Sequence, residues 1–147
     1  MKTILFAASL AVLGAAASGA AKAENTKRDA NAHLYIGWPN NGEVIRGPSV
    51  KVWFGLRNMG IAPAGTDLPG VGHHHIIVDA PIPDSAEPIP NDENHLHFGK
   101  GQTETVLTLA KGVHTIQLNF ADKDHLQFDP PLVSKKITIT VKSRRLR

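Results

Sequence analysis

Apolar and polar residues alternate along most of the chain after residue 32, in short runs bounded by Gly, Pro, Asn and Asp. In the run from Lys135 to Val141, Ile137, Ile139 and Val141 fall on one side and Thr138 and Thr140 on the other. That period of two marks a strand with one buried face. The same pattern predicts strands at His33 to Trp38, Ser49 to Leu56, His73 to Val78, His95 to Phe98, Thr105 to Leu109 and His114 to Phe120. No stretch repeats its apolar residues at helical spacing. About seven short strands in roughly 110 residues predict an all-β, immunoglobulin-like β-sandwich. The chain has no cysteine, so no disulfide joins the sheets, and stability must come from burial, or from burial plus a bound ion.

The first 23 residues follow a different pattern. Lys2 precedes an uncharged run of apolar and small residues from Ile4 to Ala21, and Ala21-Lys22-Ala23 places small residues just ahead of Glu24. A basic start, an apolar middle and small residues before a cut make a secretory signal, so residues 1–23 are expected to be removed and the mature protein to be periplasmic or secreted. Ala and Gly dominate the second half of the run, whereas a spanning helix wants about 20 strongly apolar residues. No membrane span is therefore expected in the mature protein. Residues 24–32 are polar and read as a flexible lead-in, residues 33–142 as the folded domain, and residues 143–147 as a basic tail.

Charge changes the picture little. The whole chain has 16 Lys and Arg against 13 Asp and Glu, and loss of Lys2 and Lys22 with the signal leaves 14 against 13, a net +1. The remaining cations are scattered apart from Arg144-Arg145-Leu146-Arg147, which is no footprint for nucleic acid.

Histidine is what exceeds ordinary composition. Seven of the eight lie between His73 and His125, as His73-His74-His75, His95-Leu96-His97, His114 and Asp122-Lys123-Asp124-His125. Residues two apart on a strand share a face, so each His-x-His presents two imidazoles on one side. Leu96 and Phe98 take the core face of their strand and leave His95 and His97 on the other. His114 shares parity with Ile116, Leu118 and Phe120, which predicts a hydrogen-bonded structural histidine. Parity does not sort the triple run, because His74 aligns with Ile76 and Val78 while His73 and His75 align with Ile77. Imidazole is the commonest ligand for zinc and copper. The metal candidates are His73, His75, His95, His97 and His125, with Asp79, Asp92, Glu93, Asp122, Asp124 and Asp129 able to ligate or to orient a ring. A bound copper or zinc ion is the expected cofactor, with affinity fading as pH falls through about 6.5, where imidazole loses its lone pair to a proton. Met59 offers a thioether suited to copper(I).

Gly72-His73-His74-His75 running into Ile76-Ile77-Val78-Asp79, Glu93-Asn94-His95-Leu96-His97-Phe98-Gly99 with Gly101-Gln102-Thr103-Glu104, and Gly112-Val113-His114-Thr115 resemble the exported bacterial family catalogued as domain of unknown function 4399. Asp124-His125 and Asp129-Pro130-Pro131-Leu132-Val133-Ser134 fit the same pattern. The resemblance implies export, a compact β domain and a deliberate histidine arrangement, and supplies no reaction.

Three classes of function follow. The first is metal binding for storage, delivery or structural support. The second is a metal-free module that meets another envelope protein or a glycan through the Pro- and Gly-rich stretches 60–70 and 80–94. The third, a metalloenzyme, fits least. A cupin-type site needs Glu soon after His-x-His, but Glu104 follows His97 by seven residues, and Ala110-Lys111-Gly112-Val113-His114 lacks the usual Pro-x-Gly-x-x-His. No Ser sits in a Gly-x-Ser-x-Gly turn, so nucleophilic catalysis has no candidate either.

Overall fold

A computed structural model describes residues 24–144. The predicted signal, 1–23, and the last three residues of the basic tail lie outside the described residues. Ten strands form among the described residues: β1 (His33–Trp38), β2 (Val44–Arg46), β3 (Ser49–Arg57), β4 (Gly60–Ile61), β5 (Val71–Val78), β6 (His95–Phe98), β7 (Glu104–Thr108), β8 (Gly112–Ala121), β9 (Gln127–Val133) and β10 (Ile137–Lys142). No helix of these residues is long and apolar enough to cross a membrane. The seven expected strands are all present. The three additional ones escape a periodicity reading for physical reasons: β2 and β4 are too short to alternate, and Pro130-Pro131 interrupts the apolar pattern of β9.

The strands make a two-sheet, all-β sandwich. One sheet has the order β1-β3-β7. The other runs β2-β10-β8-β5-β4, with β6 also paired to β5 and β9 to β8. Val50, Val52 and Phe54 of β3 face Ile76, Val78, Ile116, Leu118, Phe120, Ile139 and Val141 of the larger sheet across the core. Burying such a side chain contributes about 1.5–3 kcal/mol, so this layer is what holds the sheets together.

The larger sheet is covered on its second face as well. From Ile116 to Ala121 every residue of β8 is buried, although alternate side chains point away from the core. The cover is the Pro-rich connection 79–94, which is tied down at its ends and along its length. Val78 N donates to Asn94 O and Asn94 Nδ2 to Val78 O, Ile89 N donates to His125 O, and Gln127 Nε2 donates to Pro83 O. Residues 24–32 add to the cover: Asn25 Nδ2 donates to the carbonyls of Ser85 and Gln127, and Lys27 pairs with Asp129. A segment with no apolar period thus makes its contacts through polar side chains.

Candidate metal centre

The covered face carries the histidines. In the β5–β8 pairing His75 lies opposite Asn119 and His73 opposite Ala121, while His74 lies opposite Phe120. The triple run therefore splits. His74 points into the sandwich core, with its ring 5.1 Å from those of Phe54 and Phe120 and its Nδ1 donating to the Gln102 carbonyl at 3.2 Å. His73 and His75 point to the second face, and all three are 0% exposed. On the other side of β5, β6 pairs His97 with His75 and His95 with Ile77.

His97 and His125 complete a group with the two buried rings. His75 Nε2 lies 3.0 Å from His73 Nε2, and His125 Nε2 lies 3.2 Å from His97 Nε2. Ring centroids of the four are 4.8–6.0 Å apart, the longest separation being His75 to His125. One ring nitrogen from each of His73, His97 and His125 lies within 4.8 Å of the other two. His75 flanks that triad through its contact with His73. Two nitrogens bound at about 2.0–2.1 Å to one tetrahedral ion sit about 3.3 Å apart, so the observed separations fit a shared ion after small ring movements.

Local structure explains how each ring arrives. The β5 pair comes from strand alternation alone. His97 lies over Gly99, where a Cβ would overlap its Cε1 and Nε2, so the ring uses space that only glycine leaves. His125 comes from the turn between β8 and β9 and has φ 67°, a left-handed conformation costly for a side-chain-bearing residue. Asp122 holds that turn. Its Oδ1 accepts from Asp124 N and Leu126 N, both at 3.0 Å, its Oδ2 accepts from Thr26 Oγ1 at 2.7 Å, and its carbonyl accepts from His125 N at 3.1 Å. The turn at residues 62–66 links the segments that carry the two outer rings, His97 and His125, since Ala64 N donates to Gly99 O and Gly65 N to Lys123 O.

Two histidines do other work. His95 shares the face of His97 by register, but its Nδ1 pairs with Asp92 Oδ1 at 2.9 Å and it is not part of the triad. His114 Nδ1 lies 2.7 Å from Asp79 Oδ2 and its Nε2 lies 2.9 Å from the Ala110 carbonyl. Both partners only accept, so both ring nitrogens donate, which is the pattern of an imidazolium. The bond to Asp79 correspondingly raises the His114 pKa. Met59 packs against the hydrophobic core.

In the cluster the shift is opposite. Burial first, then the neighbouring His125, His97 and His74, pushes His73 down to about 4. Burial, with His73 and the same neighbours, pushes His75 down to about 2. Burial and His125 also lower His97. These rings are therefore neutral at ordinary pH and keep the lone pairs that a metal needs. The Nδ1 atoms of both His73 and His75 are buried without a partner, as is Asn119 Oδ1.

Sequence reasoning missed two supporting residues, Gly99 and Asn119, and gave a third, Asp122, a different role. Gly99 was signalled by its place two residues after His97, on the same face of an extended chain. Asp122 was named as a carboxylate that could ligate, and its role is to build the turn. Asn119 had no signal of its own, because only the strand register brings it opposite His75.

Residues 52–142 match the family described as "Domain of unknown function (DUF4399)", and the match runs from within β3 to β10 with every histidine of the cluster. Neither the curated proteins nor the solved structures yield a match. A family match over more than half of the chain, on the segment that carries the buried imidazoles, establishes that the chain belongs to the DUF4399 family.

Proposed function

We propose that this protein is an exported β-sandwich that holds a transition-metal ion, copper or zinc, with His73, His97 and His125 as the central ligands and His75 as the fourth. The observation that carries this is the convergence of their imidazole nitrogens from three separate parts of the chain. Imidazoles suit copper and zinc, and four of them would fill a tetrahedral shell. A filled shell leaves no position for a substrate, which favours holding an ion for storage, delivery or structural support over turnover. Export rests on the basic, apolar and small-residue order of residues 1–23.

A metal-free interaction module is the second reading, favoured by one feature: the Nε2 atoms are close enough to hydrogen-bond in two pairs, His73 with His75 and His97 with His125. Elemental analysis separates the two. Untagged protein incubated with copper or zinc and desalted should retain close to one ion per chain. Retention of neither ion would favour the metal-free module.

A further inference from the structure

The charge around the cluster bears on which ion it takes. Imidazole is a donor that brings no negative charge of its own, and among the described residues no carboxylate oxygen joins the triad. Asp122 and Asp124, close to His125 in the chain, are tied into other contacts, and Asp79 and Asp92 belong to His114 and His95 rather than to the cluster. Asp79 accepts from His114 Nδ1 and Thr115 N, and Asp92 from His95 Nδ1, His95 N and Asn94 N. Asp122 accepts from Thr26 Oγ1 and two turn amides, and Asp124 from Lys123 Nζ. No charged ligand atom would offset the charge of an ion bound here, beside two ligands that are 0% exposed. The penalty for placing charge in a poorly solvated site grows as the square of that charge, so a dication meets about four times the penalty of a monocation. Imidazole suits both copper and zinc, and of these copper alone has a common singly charged ion, copper(I).

We infer that the His73, His75, His97 and His125 site selects copper(I) over zinc(II), because it supplies four neutral nitrogens and no compensating carboxylate. This rests on the metal reading above and goes further by assigning the charge of the cargo. Asn119 is the position at which the selection is open to change. It lies opposite His75 in the β5–β8 register, is fully buried, and leaves Oδ1 unpaired while His75 Nδ1 is unpaired too. Replacing its amide by a carboxylate of the same shape puts a negative charge beside the site. With no ion bound, the substituted carboxyl group in its protonated form can still donate to Gln127 Oε1, where Asn119 Nδ2 donates at 3.0 Å.

The test is a pair of competition titrations on untagged protein, one with copper(I) under anaerobic conditions against a chromogenic copper(I) chelator, the other with zinc(II) against a zinc chelator. Wild type should bind copper(I) more tightly than zinc(II) by about tenfold or more, and Asn119→Asp should reduce that ratio by about tenfold through a gain in zinc affinity. Zinc binding to wild type as tightly as copper(I), or an unchanged ratio in a folded Asn119→Asp protein, would overturn the selection while leaving metal binding intact. If Asn119→Asp does not fold, the wild-type ratio decides alone. If neither ion binds wild type more tightly than a variant with all four histidines replaced by Ala, the metal reading itself fails.

Discussion

His97 Nε2 lies 3.2 Å from His125 Nε2, although 28 residues separate them in the chain. One ring stands on a strand over a glycine, and the other on a left-handed turn residue. Such a meeting needs both supports, and each support is a place where the metal centre can be tested without removing a ligand.

Gly99→Ala is the first of these. A Cβ there would overlap the His97 ring, and His97 is partly exposed, so the ring can swing aside. Metal affinity should fall by about tenfold or more, with a change in metal-free stability of only about 1 kcal/mol or less. Titration and thermal melting on the same preparation check this. Unchanged affinity would mean that the His97 position does not matter to the site.

The buried rings predict how stability depends on acid. His73 and His74 are each lowered to about 4 by burial, so between about 6.5 and 4 the unfolded chain binds protons that the folded chain refuses. Metal-free protein should therefore lose stability as pH falls below 6.5, by up to about 1.4 kcal/mol per pH unit for each such ring. His74→Leu should flatten this slope and leave metal affinity unchanged, because His74 faces Phe54 and Phe120 in the core. Denaturant melts at a series of pH values provide the measurement.

His114 predicts the opposite sign. Its pKa is raised by Asp79, so the stability it contributes is fully present below the unfolded value of about 6.5 and is lost as pH rises through the higher folded value. His114→Ala should lower stability by about 1 kcal/mol at pH 6, and by less at pH 8, with little change in metal affinity. A variant that kept its melting temperature and lost metal binding would make His114 a ligand.

Much of the frame was legible in the sequence because burial imposes a period of two. Ile116, Leu118 and Phe120 identified both the strand β8 and its inner face. The triple histidine run was not legible. Both faces of β5 are buried, one by the opposing sheet and one by the connection 79–94, so alternation between apolar and polar residues disappears there. His95 and His97 were equivalent by parity, and what separates them in the structure is register and partner: His97 lies opposite His75 and meets His125, while His95 lies opposite Ile77 and is held by Asp92. The β9 strand was hidden by its prolines, while the Asp122 turn is held mainly by local amides, with Thr26, distant in the chain, adding one bond.

Processing is a separate prediction. Protein recovered from its native host should begin at or within a few residues of Glu24, with Met1 to Ala23 removed. Intact-mass spectrometry showing the whole N-terminal segment on the folded protein would contradict export by cleavage.

The ligand set predicts a graded loss. His97→Ala and His125→Ala each remove a member of the triad and should weaken metal binding by about tenfold or more, His75→Ala should weaken it less, and His75→Ala with His97→Ala should abolish it. His95→Ala should have little effect, since its ring is held by Asp92. Equal losses at His95 and His97 would place His95 among the ligands.

Calorimetric titration of the untagged mature domain at neutral pH tests the central claim most directly, with wild type set beside a variant in which His73, His75, His97 and His125 are all replaced by alanine. Wild type should take up one copper or zinc ion per chain, and the variant none at the same concentrations. Equal or absent binding in the two proteins would contradict a metal centre and leave the four histidines as a hydrogen-bonded network.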